Sequence, residues 1–427
     1  METVLMIFFA LLFFAAIMVS IALHEIGHLV PAKLFGVKVS EYFVGFGKRL
    51  WSVRRGETEY GVKALPLGGY VRLIGMYPPA KEGEKNTWLN RLANDARSAE
   101  WDDIRPEDEG RLLYQQDTWK KITVMLGGPM MNILIAFLVF LGLNMVHGTY
   151  QLLPTAEAVS ECVVASDRED KKCRPEDPLA PAAEAGVEKG DQIVAFNGIQ
   201  IDTWDQLTEI IRDNRDGAAT VEVVRDGQRI TLPTVNTRLN HVADRLDPAK
   251  TVEAGFFGVS PAGEMRKGGP VETVQQMWQM TKQSAVALAS FPVRVYNVAE
   301  DLVLGKPRDI NGPISIVGAS RVAGEISVTD QFAAGDKVAT WFSLLGSVNL
   351  FIALLNLVPL LPLDGGHIAG AIYEWLKRKL YRLVGKPDPG HVDTAKGLPM
   401  IFIVGGFLLL GGAVLIIADI ISPPQLF

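Results

Sequence analysis

Four stretches of this chain are long, apolar and almost free of charge: residues 4–23, 122–146, 338–363 and 398–418. Each reaches the roughly 20 residues that a helix needs to cross a bilayer. In hydrocarbon the backbone must satisfy its own hydrogen bonds, so uncharged runs of this length specify membrane-spanning helices. The expected architecture is a polytopic α-helical membrane protein with four transmembrane helices. The first run is too long for a signal-peptide core and lacks a basic leader, so it is expected to be retained. The runs at 122–146 and 338–363 contain Gly, Pro and Asn, and irregular spans are expected there.

Charge supplies an orientation. Between Pro31 and Met76 there are eight Lys or Arg against three Glu, and "EWLKRKLYR" follows the third apolar run. The positive-inside rule puts both segments on the cytoplasmic side. Both termini and the long middle region then lie outside. The only two cysteines, Cys162 and Cys173, fall in that outer region. An oxidising compartment allows a disulfide between them; two free thiols are the alternative. A net charge of −6 gives no reason to expect nucleic acid as a partner.

The expected order follows. Residues 1–36 carry the first span, 37–77 a cytoplasmic or membrane-re-entrant β region, and 78–120 a charged cytoplasmic excursion, mobile or accessory. The second span covers 121–147. An extracytoplasmic domain occupies 148–262, and amphipathic helices and a linker fill 263–336, with "DINGPISIVGASRVAGE" as a Gly-rich connector. The third span covers 337–366, a cytoplasmic loop 367–397, and the fourth span 398–421. Inside the domain, "PAAEAGVEKGDQIVAFNG" predicts a short helix ending at Gly186 and a strand closed by Asn197-Gly198. A helix capped by Thr203 and two strands around Asp226-Gly227 follow. This order resembles a single PDZ domain of the permuted bacterial form, an α/β insertion.

The chemistry sits in "SIALHEIGHLVPAK", at the end of the first apolar run. His24 and His28 are four apart, so on a helix both can aim a ring nitrogen at one ion, and Glu25 can serve as base to a metal-bound water. Ionisable groups this close to hydrocarbon are costly and call for a shared reason. A catalytic zinc takes three protein ligands and keeps one position open. The expected third ligand is Asp364 in "NLVPLLPLDGGHIAG", which ends 26 uncharged residues and falls on the same predicted side. His367 is a rival ligand, with an outer supporting or capping role preferred. "GVKALPLGGYVRLIG" has two alternating runs around Gly68-Gly69 and reads as a hairpin apolar enough to dip into the membrane. Its edge offers hydrogen bonds to an unwound substrate; a purely structural hairpin is the alternative. "GGPMMN" places a helix break and Asn132 inside the second span. Gly128, Pro129 and Asn132 are expected to support the site structurally.

These motifs together resemble the site-2 proteases, intramembrane zinc metalloproteases. "HEIGH" and "NLVPLLPLDGG" match the family's two motifs, and "GFGKRL", "GVKALPLGGYVRLIG", "GGPMMN" and "NGPISI" match its bacterial members. The resemblance covers nearly the whole chain, apart from 78–118. It implies one Zn2+ held by His24, His28 and Asp364, with Glu25 as general base. Asn356 would bind the substrate backbone, Pro359 would bend the chain, and Gly68, Gly69 and Tyr70 would lie along the substrate. The implied setting is a bacterial cytoplasmic membrane, with the site towards the cytoplasm. The implied substrates are single-span proteins already cut by a site-1 protease, such as anti-sigma factors or remnant signal peptides. A peptide C-terminus would meet the PDZ domain. Asn349 departs from the family spacing and receives no role. A metal transporter and a silent PDZ scaffold are the other classes; the first needs more polar residues along a path, the second has no use for Glu25.

Overall fold

In a computed structural model the described residues are 2–80, 87–101, 104–164, 168, 172–243, 251–309 and 312–424. In chain order the elements are α1 (Glu2–Leu34), β1 (Val39–Arg55), β2 (Thr58–Leu73), α2 (Trp88–Trp101) and α3 (Thr118–Val146). Then come β3 (Thr149–Val159), α4 (Pro181–Ala185), β4 (Gln192–Phe196), β5 (Ile199–Gln200), α5 (Trp204–Asn214), β6 (Ala218–Ala219), β7 (Val221–Arg225) and β8 (Gln228–Thr231). β9 (Val235–Asn236), β10 (Arg238–Ala243), β11 (Thr251–Phe256) and β12 (Val259–Arg266) follow. The chain ends with α6 (Pro270–Leu304), α7 (Ile316–Val328), α8 (Ala334–Asn356), α9 (Asp364–Leu383) and α10 (Leu398–Ile421). Two compact units result: residues 1–143 with 273–427, and residues 144–272.

Four helices of the first unit, α1, α3, α8 and α10, are long and apolar enough to cross a membrane, among the described residues. α1 buries Phe13, Ile17, Ser20, His24, Gly27 and His28, one stripe at helical spacing. Its other faces expose Leu5, Phe8, Leu12 and Val19, as expected where lipid is the solvent. The stripe begins against Ala319 and Ala323 of α7 and Leu345 of α8, and it ends at the polar cluster. α6 is one 35-residue helix whose Met277 packs with Ala136, Phe140 and Leu350, and whose Val295 and Val298 pack with Leu415 and Ala418.

Several expectations are met or corrected here. α1 runs ten residues past His24, in line with a first span over 1–36, so the cluster lies within the helix. α3 is continuous through Pro129, with no break at "GGPMMN". The third span is irregular as expected: it is helical to Asn356, and a non-helical segment carries the chain to Asp364. The expected hairpin turn at Gly68-Gly69 lies inside β2; the turn between β1 and β2 is at Gly56-Glu57, with Gly56 at φ 62°. The "DINGPISIVGASRVAGE" connector is mostly α7, capped by the Ser315 hydroxyl, which accepts from Gly318 N–H. Asn311 at the head of "NGPISI" lies outside the described residues. The charged segment 78–118 is docked. Arg97 of α2 is buried, pairs with Asp393 and donates to the Pro78 carbonyl, while Leu112 and Leu113 are buried too. Residues 81–86 and 102–103 of that segment lie outside the described residues.

β1 and β2 are long and sharply bent. Phe43 pairs with Tyr70 on one flank and Gly61 on the other, and Val44 likewise with Gly69 and Val62. Residues 41–44 are thereby filled on both sides, and 69–73 form an edge. A cluster of Leu29, Ala32, Val37, Val39, Leu73, Val124 and Met125 clamps this sheet to α1 and α3. The Tyr42 hydroxyl also donates to the Ala22 carbonyl at 2.9 Å.

The second unit carries a six-stranded sheet with β12-β3-β4-β7-β8 in order and β5 beside β4. Its core gathers Ile193, Phe196, Leu207, Val221, Val223 and Phe257. Gly186, Asn197-Gly198 and Asp226-Gly227 all take positive φ at the turns the sequence marks. The Thr203 hydroxyl caps α5. A disulfide joins Cys162 and Cys173.

Candidate active site

α1 and α3 meet without an intervening side chain. A Cβ on Gly27 would overlap the Gly127 carbonyl, and one on Gly127 would overlap the Gly27 carbonyl. Pro31 has no N–H to give that Gly27 carbonyl, which lies against α3 instead. One residue on, a Cβ at Gly128 would collide with His28 Nε2 and His24 Nε2. The glycines of "GGPMMN" thus make room for both imidazoles.

His28 Nδ1 donates to the Val124 carbonyl at 2.8 Å. That bond fixes the tautomer and leaves Nε2 as a bare lone pair. His28 Nε2 and His24 Nε2 lie 3.2 Å apart. Asp364 Oδ2 is 3.5 Å from the first ring's Nε2 and 3.4 Å from the second's, in the order His24, His28. These three are the His, Asp, Glu or Cys group able to hold a metal among the described residues. A tetrahedral ion with bonds of about 2.0–2.1 Å needs ligand atoms about 3.3–3.4 Å apart. The triangle of 3.2, 3.4 and 3.5 Å has that size. Asp364 Oδ2 is buried with no hydrogen-bond partner, as a ligand oxygen would be without its ion. The donor set therefore fits zinc.

Asp364 reaches the cluster as the first residue of α9. Gly365 allows this, because a Cβ there would strike the Leu357 and Val358 carbonyls. The helix N-terminus favours a carboxylate at this position. Glu25, next to His24, lies against the edge of β2: a Cβ on Gly69 would be 3.1 Å from Glu25 Cγ.

The other expected residues are spread more widely. Asn356 closes α8 half-buried, and Pro359 is exposed in the segment leading to Asp364. Gly68 packs on the Phe46 ring. The Tyr70 hydroxyl donates to Glu41 and accepts from Lys63, and its ring stacks on Phe43, so it turns from Glu25 towards the sheet's own side chains. Asn132 is wholly buried and has no hydrogen-bond partner among the described residues. His367 is outside the metal group; it lines a cavity of about 40 Å³ with Lys121, Met125, Glu374 and Thr394. Glu374 in that wall accepts from Lys121 at 3.0 Å and from the Val392 N–H at 3.0 Å. Burial would raise its carboxyl, but the His391 ring, the Val392 N–H and Lys121 hold it down to about 2.

Two features were missed in the sequence. Asn349 donates to the Ser20 hydroxyl at 3.1 Å, one turn before His24, and so ties α8 to the buried stripe of α1. An Asn in an apolar span must find such a partner, which was the available signal. The Val124 carbonyl that orients His28 is a backbone group and leaves no mark in the sequence.

The chain matches peptidase family M50 over residues 12–386. It is 35% identical to zinc metalloprotease Rip1 of Mycobacterium tuberculosis, over 97% of this chain and 98% of the relative. It is 34% identical to zinc metalloprotease Rip1 of Mycolicibacterium smegmatis, with the same coverage. Metalloprotease MmpA of Caulobacter vibrioides is 28% identical over 87% of each chain.

Proposed function

The chain belongs to peptidase family M50 and is a zinc metalloendopeptidase of the membrane; on that premise we propose that His24, His28 and Asp364 hold one zinc ion and that Glu25 is the general base. The triangle of donor atoms beside Glu25 carries this reading. A zinc ion held there would polarise the scissile carbonyl and acidify a bound water. Glu25 would accept a proton from the attacking water and pass it to the leaving nitrogen.

A helical substrate hides its carbonyls in its own ladder. The 69–73 edge of β2, beside Glu25, offers backbone partners to a segment that has unwound. Gly69 leaves one end of that edge without a side chain, and Asn356 takes the substrate backbone. The substrates are single-span membrane proteins first shortened by another protease, such as anti-sigma factors or remnant signal peptides. The unit of residues 144–272 acts as a PDZ domain that screens them by size or C-terminus. The active site faces the cytoplasm of a bacterial cell, in keeping with the basic segments after α1 and in α9.

The test is Glu25→Gln with a tagged single-span substrate in membranes. Zinc stays stoichiometric and cleavage falls by about 10²–10⁴-fold. Unchanged cleavage sinks the mechanism. Asp364→Ala lowers zinc content by metal analysis; stoichiometric zinc there moves the third ligand elsewhere.

A further inference from the structure

α9 has two faces, and among the described residues only one is packed against the protein. Ala371 and Glu374 are buried, and Glu374 reaches Lys121, in the first turn of membrane-crossing α3. That contact holds the middle of α9 at the level where a span begins. Trp119 and Lys120, exposed or half-exposed beside Lys121, mark the same level.

The opposite face carries Ile372, Leu376, Leu380 and Leu383, spaced i, i+4, i+8 and i+11 in one stripe. These side chains are 43–77% exposed. Lys379 and Arg382 flank the stripe on one side and Lys377 on the other, with Lys386 just beyond the helix. Lys377, Lys379 and Lys386 sit over the rings of Tyr373, Trp375 and Tyr381. None of these four cations meets a carboxylate among the described residues. The acids of α9, Asp364 and Glu374, both turn inward. The helix is not among the candidate spans. An apolar stripe between basic flanks, tethered at the level of a span's first turn, has the form of a helix lying in an anionic bilayer surface.

We propose that α9 docks its Ile372–Leu383 stripe into an anionic lipid surface, and that this docking holds Asp364 against His24 and His28. Asp364 is the first residue of the same rigid helix, so a tilt of the C-terminal half moves it. The second clause rests on Asp364 being a metal ligand; the first does not.

The experiment uses the full chain in vesicles of phosphatidylcholine, with or without phosphatidylglycerol. A nitroxide is placed at Leu380→Cys, and its collisions with oxygen and a water-soluble nickel chelate are read. Phosphatidylglycerol makes the label oxygen-accessible and nickel-protected. Each basic residue at an anionic surface is worth about fivefold (roughly 1 kcal/mol), so K379Q/R382Q/K386Q lowers the docking equilibrium constant by roughly a hundredfold. Equal collision rates in the two lipid mixtures overturn the docking. Protection from both probes also overturns it, since a protein then covers the stripe. Zinc retention against a chelator, in the same vesicles, reads the coupling. Slower loss with phosphatidylglycerol, abolished in the triple variant, supports it; docking with no difference in zinc loss overturns it. If no zinc binds in either mixture the metal assignment fails, while the label still decides the docking.

Discussion

In the unit of residues 144–272, Ile193, Phe196, Val221 and Val223 are fully buried, and side chains fill the space between sheet and helix. Where α1 crosses α3 the space is filled by backbone alone, Gly27 against Gly127. The domain excludes water and gains from every apolar group it hides. The spans lie in a solvent as apolar as their own side chains, so hiding a leucine gains little and close approach matters more. The same residue types therefore mean different things in the two regions. Gly186, Gly198 and Gly227 in the domain mark turns; Gly27, Gly127 and Gly128 in the spans mark contacts.

The largest expected effect tests that contact. Gly128→Val pushes a side chain onto both imidazoles. It abolishes zinc binding and lowers cleavage by at least about 10²-fold, since misplacement of about 1 Å can cost that much. Hydrogen exchange of residues 144–272 stays as in the parent; a loss of protection there erases the distinction between the regions. Phe196→Ala is the converse. It costs the domain about 3–5 kcal/mol, read by hydrogen exchange in the full chain, and leaves zinc content unchanged. Zinc loss in that variant breaks the comparison from the other side.

A third measurement sharpens it by pH. Asp191 is buried in the domain and takes both Arg225 Nε at 2.8 Å and Nη2 at 2.7 Å. Burial would raise its carboxyl, but Arg225 and the Glu188 N–H hold it below the usual carboxylate range. A carboxyl lowered in the folded state stabilises above its unfolded value, near about 3.9, and that stability is lost as pH falls through the folded value. Domain protection therefore falls on acidification below pH ~4, and Asp191→Asn flattens that slope. The smallest effect is Thr203→Ala, which removes the cap on α5 and costs about 1 kcal/mol in the same measurement.

Legibility followed the same divide. In the domain, Asn197-Gly198, Asp226-Gly227, Gly186 and Thr203 each do what local chemistry dictates, and each could be read in advance. The gathering of His24, His28 and Asp364 was legible too, because polar groups in apolar runs are few and their spacing is restrictive. Gly68-Gly69 misled. It was read as a turn, but those glycines sit in a strand against Phe46 and Glu25, partners that only the tertiary fold brings near. Pro129 was read as a break for the same reason: helix propensity in water says little where neighbouring helices hold the chain. The docking of 78–118 was missed because its anchors, Arg97 to Asp393, join residues 296 apart in sequence.

The Gly27–Gly127 crossing has a consequence for how this chain can change. At Phe196 a lost volume can be restored by a larger neighbour, so the core has many routes between acceptable sequences. At the crossing the obstacle to a larger residue is main chain on both sides, which no second substitution can shrink. Each glycine closes off alternatives for the other. The two positions form a pair that drift cannot enter by single steps, and the spacing of the whole His24–His28 stripe is inherited with them.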